Sequence, residues 1–242
     1  MKLSSDKGCT ALIYRVKEGL VFKSPRVGVS EGLLAEIENA VIVKLEILNR
    51  LGEHSGIVRD IPMCRGSADK GLLFDEADGG DQQSWIDKDG NEINNFLREK
   101  WSLQIAKAVA YVHEKGVIHS NICPDNVLVQ QNSLILADFG GYRCLELGLD
   151  SHLIPNPPLL NPHLTDFHTP KVDVFSRSFL LYVINNGQYL FRHGPVLQDE
   201  ERFDYEDYVH RQLNEDKFPN LSGVPFKDVI AGCCSRPREL RD

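Results

Sequence analysis

The stretch VIHSNICPDNVLVQQNSLILADFGGYRCL, residues 117–145, places polar residues on both sides of two short apolar runs. His119, Asn121 and Asn126 come before the runs VLV and LILA, and Asp138 follows them. Apolar runs of this length, joined by a polar turn such as QQNS, are typical of a β-hairpin.

These residue types at this spacing are typical of phosphoryl transfer. That reaction uses a carboxylate that positions the attacking hydroxyl, a Lys on the ATP phosphates, and an Asn and an Asp that bind Mg²⁺. In protein kinases the pattern is His-Arg-Asp-x-x-x-x-Asn, followed after a hairpin by Asp-Phe-Gly. Here the first motif is HSNICPDN at residues 119–126, and the second is intact at residues 138–140.

The part of the chain before this stretch is expected to contain strands and one helix. ALIYRV and LVFKS, at residues 11–16 and 20–24, predict a hairpin across the turn KEG. Apolar residues at helical spacing predict a helix over residues 31–51, which Gly52 ends. The acidic segment DEADGGDQQ, residues 75–83, is poor in apolar residues, and we interpret it as a linker between two lobes.

The part after the linker is expected to be mainly helical. In FLREKWSLQIAKAVAYVHEKG, residues 96–116, an apolar stripe includes Trp101 and Val112, and Arg98 is expected to lie off that stripe. DVFSRSFLLYVINN, residues 173–186, is apolar on most faces and predicts a buried helix. LIPNPPLLNPHL, between these two helices, is rich in proline and predicts an extended loop.

By these motifs and their order, the chain resembles the eukaryotic protein-kinase family over nearly its whole length, and within it a divergent fungal branch with short, degenerate lobes. The resemblance implies an α+β, bilobal, protein-kinase-like fold. Residues 1–78 would form a small β-rich N-lobe with one helix, whose strands cover the nucleotide. Residues 79–242 would form a larger, mainly helical C-lobe. The ligands implied by the resemblance are ATP and Mg²⁺.

The resemblance also implies roles for individual residues. Lys23 in LVFKS corresponds to the strand Lys that holds the ATP phosphates, and Gly8 is what remains of the Gly-rich loop that covers them. Asn126 and Asp138 correspond to the two Mg²⁺ ligands. Plainer interpretations exist for two of these residues. Lys23 would then be a solvated lysine at a strand end, and Asn126 would cap its loop by bonding to the backbone.

Several residues depart from the family's pattern at the positions that perform the transfer. Asn121 stands where the catalytic Asp is expected, and an amide can orient a hydroxyl but cannot take its proton. Cys123 stands in place of a Lys, which removes a cation near the transferring phosphate. Lys44 stands where a helix Glu should pair with Lys23, and two cations cannot form that pair. Glu46 is nearby in sequence but is expected to face away.

Other departures and matches concern the frame of the site. The Ala-Pro-Glu segment that frames a peptide substrate is not recognisable, and the Pro-rich stretch at residues 153–164 takes its place. His119 and Asp173 match the family's residues that support the catalytic loop. The resemblance therefore implies a structural role for both residues.

The sequence thus predicts a pseudokinase: a kinase-like domain that binds Mg-ATP weakly and acts through a protein partner. One alternative is a slow or atypical Ser/Thr protein kinase, which would use Lys23, Asn126 and Asp138 to transfer the γ-phosphate to protein hydroxyls. Another is a small-molecule phosphotransferase of kinase-like fold. Asn121 counts against both alternatives, because both use a carboxylate at that position.

Composition narrows the remaining function classes. A formal net charge of -8 argues against a nucleic-acid-binding or anionic-membrane-binding surface. The six cysteines form no C-x-x-C pair, so no zinc site is expected, and Cys233 and Cys234 are expected to be buried in a helix.

The N-terminus lacks the apolar run of a signal peptide, and SFLLYVI is too short to span a bilayer, so we expect an intracellular, cytoplasmic protein. The acidic run at residues 198–208 is expected to be a solvated helix face, or else a docking surface for a basic partner.

Overall fold

The computed structural model describes residues 2–5, 11–25, 31–61, 71–89, 93–139, 143–150, 161–192 and 199–234. Three features of the sequence predictions lie outside these ranges. They are Gly8, Gly140 of the Asp-Phe-Gly motif, and residues 153–160 of the Pro-rich stretch.

A five-stranded antiparallel sheet forms the first part of the fold. Its strands are β1 Lys2–Ser5, β2 Ala11–Lys17, β3 Leu20–Pro25, β4 Asp60–Ile61 and β5 Leu72–Asp75, in the spatial order β1-β2-β3-β5-β4. The predicted hairpin of β2 and β3 is confirmed, and Gly19 in its turn has a φ of 75°, which suits a residue without a Cβ. Lys23 pairs with Ile13 on one side and with Leu72 on the other. The backbone of Lys23 is therefore fixed between two neighbouring strands.

Helix α1, Glu31–Leu51, has the predicted bounds and packs its apolar face into the core. Val43, Ile47 and Leu48 are buried on that face, whereas Glu46 is exposed, as predicted. The helix ends at Gly52, whose backbone N–H bonds to the carbonyl of Leu48.

The rest of the described chain is mainly helical, with short strands between the helices. Its helices are α2 Gln82–Asp89, α3 Asn95–Glu114, α4 Lys171–Asn186, α5 Asp199–Asn214 and α6 Lys227–Cys234. Its strands are β6 Val117–Ile118, β7 Val127–Gln130, β8 Ser133–Leu136, β9 Arg143–Cys144 and β10 Leu149–Asp150. None of the described helices combines the length and apolar character that crossing a membrane requires. Asp204 and Asp207 on α5 are exposed, so the acidic run lies on a solvated helix face.

The predicted hairpin of β7 and β8 holds the two halves of the opening motif together. Gln131 and Asn132 in its turn both have positive φ, of 48° and 57°, which matches the twist of a two-residue hairpin turn. Leu136 at the end of β8 exchanges backbone hydrogen bonds with Gly56 and Val58, which follow α1. The residues just after β8 are thereby anchored against the first part of the fold.

Helices α3 and α4 form the centre of the helical part, and they correct one prediction. Arg98 does not lie off the buried face of α3, because it is only 9% exposed. Its Nε donates to the carbonyl of Ile93 at 2.9 Å, and its guanidinium also donates to the carbonyl of Ile184 on α4. Burial lowers the pKa of Arg98, and the two carbonyls accept hydrogen bonds from its guanidinium. Arg98 thus connects the start of α3 to the end of α4.

Two further sequence expectations differ from the structure. Helix α2 was not expected, since the segment before it is polar, but Asp81 caps its N-terminus by accepting bonds from the N–H and the hydroxyl of Ser84. Cys233 on α6, expected to be buried, is only partly buried, and Arg177 donates to its Sγ at 3.6 Å.

Candidate functional site

The loop of residues 119–126, between β6 and β7, is held by hydrogen bonds to Asp173 on α4. The carboxylate of Asp173 accepts hydrogen bonds from the backbone N–H groups of His119 and Ser120, both at 2.7 Å. His113 on α3 lies 2.9 Å from the same carboxylate. Ser120 has a φ of 63°, a conformation rare for residues other than glycine, which these bonds hold in place. The predicted structural role of Asp173 is confirmed.

His119 links this loop to the segment that follows β8. Its side chain is fully buried, with Nε2 3.2 Å from the carbonyl of Ala137 and its ring 5.0 Å from that of Phe139. Burial lowers the pKa of His119 to about 4, although the Asp173 carboxylate and the bond to Ala137 act in the opposite direction. The ring is therefore neutral at neutral pH, and its role is support, as predicted.

Asn126 caps the 119–126 loop from within. Its Nδ2 donates to the carbonyl of Asn121 at 2.9 Å, and its own carbonyl accepts the N–H of Ala137 at 2.8 Å. The plainer interpretation of Asn126 as a loop cap is confirmed. Because that bond uses only the amide nitrogen, the predicted metal role of the amide oxygen stays a prediction.

Asn121 and Cys123 offer no charge to a transferring phosphate. The Oδ1 atom of Asn121 is buried and has no hydrogen-bond partner within the described part of the chain. Cys123 is 8% exposed, and burial, with the nearby charge of Asp125, raises the pKa of its thiol. The thiol is therefore neutral, and it packs within the hydrophobic core.

Across from the loop, two lysines converge on one carboxylate. The Nζ of Lys23 on β3 lies 2.5 Å from the Oδ1 of Asp138, and the Nζ of Lys44 on α1 lies 2.7 Å from the same oxygen. Lys44 is only 8% exposed, whereas the side chain of Asp138 is 35% exposed. These three side chains are called the lysine–aspartate cluster below.

The charges of the cluster do not balance. Burial lowers the pKa of Lys44 to about 8; the charge of Lys23 lowers it further, while that of Asp138 raises it. Burial also acts to raise the pKa of Asp138, but the two ammonium groups outweigh burial and hold that pKa well below its usual range. Asp138 is therefore ionised at neutral pH. With both lysines protonated, the cluster has one net positive charge.

The cluster shows which predicted residues come together. Lys23 contacts Asp138, so it is not the solvated lysine of the plainer interpretation. Lys44 binds Asp138, which is also the partner of Lys23. The sequence indicated only that Lys44 could not pair with Lys23. The signal for this role was present in the sequence, because Lys44 lies among apolar residues on the buried face of the predicted α1 helix.

The contacts of Asp138 bear on whether Mg²⁺ can bind at this site. Asn126 and Asp138 offer the oxygen ligands that Mg²⁺ prefers. One oxygen of Asp138 already receives two ammonium groups. A divalent cation at that oxygen would meet the charges of both lysines, so Oδ1 of Asp138 as it is placed here does not fit Mg²⁺.

Comparison with known families identifies the fold. Residues 29–241 match the family described as protein kinase domain. The chain belongs to the protein kinase family. The expected α+β, bilobal architecture is confirmed, with a strand-rich N-terminal part and a mostly helical C-terminal part. The family match begins after β3 and does not include Lys23, so the correspondence of Lys23 to the kinase lysine stays a prediction.

The chain is similar at low identity to several curated protein kinases. It is 27% identical to the serine/threonine-protein kinase kin-29 of Caenorhabditis elegans, over 66% of this chain and 20% of that protein. It is 34% identical to the Wee1-like protein kinase of Oryza sativa subsp. japonica, over 51% of this chain and 22% of that protein. The meiosis-specific serine/threonine-protein kinase mek1 of Schizosaccharomyces pombe is 24% identical, over 80% of this chain and 48% of that protein. The matched region therefore spans less than half of each of these relatives.

Proposed function

We propose that this kinase domain is a pseudokinase, which binds a nucleotide at the lysine–aspartate cluster and acts through a protein partner. The observation that supports this most directly is Asn121 at the position of the catalytic Asp. Kinase domains in general use ATP and Mg²⁺, and the kinase relatives make a protein partner or substrate the natural expectation.

An attacking hydroxyl must give up its proton during phosphate transfer. The amide of Asn121 has no basic site at neutral pH, so it cannot accept that proton. General-base assistance typically contributes about 10²–10⁴-fold to a rate. Loss of this group alone would therefore leave a slow enzyme.

The charges around the transferring phosphate also differ from those of the kinase pattern. In the kinase pattern a helix Glu pairs with the strand lysine, which leaves the motif Asp available for metal. Here Lys44 takes the place of that Glu and binds Asp138. Of the three carboxylates in the pattern, Asp138 alone remains, and it is engaged by two cations. Both the base and the metal environment are thus altered.

The hydrogen bonds that hold the 119–126 loop are intact. Asp173 holds the 119–126 loop through two backbone bonds, and His119 connects that loop to the segment containing Asp138. A preserved frame with altered chemical groups favours binding and interaction over turnover. The fungal branch, the cytoplasmic location and the lobe division after residue 78 remain predictions.

One observation favours a second candidate, a slow Ser/Thr protein kinase. The Oδ1 atom of Asn121 has no hydrogen-bond partner in the described structure, so no described group competes for it, although the loop would have to open before a substrate hydroxyl could reach this buried atom. Phosphoryl transfer depends largely on positioning and charge stabilisation, so an orienting amide would support a residual rate. The small-molecule phosphotransferase has no observation of this kind in its favour.

Two measurements test the proposal. ATP at millimolar concentration should raise the melting temperature of the wild type, because a ligand that binds only the folded state stabilises it. Lys23→Met should lose this shift, and Lys17→Met, a matched charge removal at an exposed site on β2, should keep it. No shift in the wild type, either with or without Mg²⁺, would refute nucleotide binding.

The second measurement is phosphate transfer to a generic protein substrate. We expect the wild type to transfer no faster than Asp138→Ala. Wild-type turnover that disappears in Asp138→Ala would instead identify the slow kinase.

A further inference from the structure

We infer that the lysine–aspartate cluster binds the phosphate chain of a nucleotide without a divalent cation, with Lys44 providing the positive charge that a metal ion otherwise supplies. Since this inference rests on the proposed nucleotide binding, the experiment below separates the failure of one from the failure of the other.

The position of Lys44 is set by the fold. It projects from the buried face of α1, beside Val43, Ile47 and Leu48, and is 8% exposed. Burying an ammonium group is costly unless it meets an opposite charge. The opposite charge that Lys44 meets is Asp138, which it shares with Lys23. One carboxylate cannot neutralise two cations, so the cluster remains deficient in negative charge.

The chemistry of the cluster suits a polyanion better than a metal ion. Magnesium sites are usually built from one or two carboxylates together with substrate phosphates. Here the carboxylate is outweighed by two ammonium groups, which are compact cations that bind phosphate as point charges. The triphosphate of ATP would bring the negative charge that the cluster lacks.

The same geometry explains why a metal ion should add little. Lys44 is packed on the buried face of α1, which keeps its ammonium group beside Asp138. A divalent cation between Asp138 and the phosphates would be repelled by that charge. Free ATP also has more negative charge than its magnesium complex. The cluster is therefore expected to bind free ATP at least as tightly as Mg-ATP.

Isothermal titration calorimetry tests this with ATP in excess EDTA and with ATP in excess Mg²⁺. The wild type should bind in EDTA with an affinity at least equal to that in Mg²⁺. Lys44→Met should weaken binding in EDTA about tenfold or more, because one of two contacting cations is lost. Lys44→Glu should bind only when Mg²⁺ is present. Lys107→Met, which removes a lysine from the exposed face of α3, should behave as the wild type does.

The outcomes separate the two proposals. Wild-type binding that requires Mg²⁺ would overturn the metal-free site and leave nucleotide binding intact. Tripolyphosphate in EDTA is the second probe: if it binds through Lys44 and ATP does not, the phosphate site stands and nucleotide binding fails. If neither probe binds in either buffer, both proposals fail. The comparison of the two buffers uses the wild type alone, so it remains decisive even where a Lys44 variant folds poorly.

Discussion

Two aspartates near the 119–126 loop have partners of different kinds. Asp173 is fully buried and receives two backbone N–H groups. Asp138 is one third exposed and receives two ammonium groups, at 2.5 and 2.7 Å. The first carboxylate fixes the shape of the loop, whereas the second presents a charged group to the site.

The difference is between the contacts that hold the backbone of the loop and the side-chain charges of the site. The partners of Asp173 are backbone groups, which do not depend on the side chains of the loop. The partners of Asp138 are side chains, so the identity of residue 44 on α1 determines them directly. Under the proposed function, the chain lacks the charges of phosphate transfer and keeps the loop geometry.

Removing Asp173 should have the largest effect on stability. Asp173→Ala leaves the buried N–H groups of His119 and Ser120 without an acceptor, and each unsatisfied group costs about 1–3 kcal/mol. We expect a loss of about 3 kcal/mol or more in the free energy of unfolding, measured with urea. Asp204→Ala, at an exposed position on α5, should stay within about 0.5 kcal/mol of the wild type. A loss below about 1 kcal/mol in Asp173→Ala would show that the loop does not depend on this carboxylate.

Acidification should unfold the frame through His119. The pKa of this residue is about 4 in the folded chain, lowered by burial, and about 6.5 when unfolded. Its stabilising contribution is therefore complete above the unfolded value and is lost as the pH falls towards the folded value. Between about pH 7 and about pH 5 the loss should be about 2 kcal/mol. His119→Phe should show a weaker dependence in urea titrations at both pH values, and an unchanged dependence would contradict this account.

A double-mutant cycle should detect the contact of Lys44 with Asp138, with a smaller effect. Asp138→Ala leaves the Lys44 ammonium group buried without its carboxylate. Adding Lys44→Met to that variant removes the buried, unpaired charge. Since Asp138 is one third exposed, solvent screens the pair, and we expect a coupling of about 1 kcal/mol. The readout is again urea unfolding. Strictly additive effects would mean that the two side chains do not interact in solution.

The frame was largely predictable from sequence because it follows from periodic patterns. Apolar spacing gave the bounds of α1, and the paired runs around QQNS gave the β7–β8 hairpin. Prediction was poorer where a polar residue has a buried partner distant in sequence. Arg98 looked solvated because its acceptor, the carbonyl of Ile184, lies 86 residues away.

The site was only partly predictable, for the same physical reason. Motif spacing identified Asn121, Asn126 and Asp138 as candidates, but it did not show that Lys44 binds Asp138. That contact joins α1 to the segment after β8 and depends on how the two parts of the fold pack. Helix α2 was missed because its segment is polar, although Asp81 before it is a recognisable N-cap.

Restoring the missing charges is the most direct test of an intact frame with altered chemistry. Asn121→Asp combined with Lys44→Glu returns both carboxylates of the kinase pattern, and transfer of labelled γ-phosphate from Mg-ATP to a generic protein substrate is the readout. We predict that the wild type equals Asp138→Ala and that the double variant gains about 10²-fold or more. A wild-type rate that Asp138→Ala abolishes, or a stably folded double variant with no gain, would contradict this account.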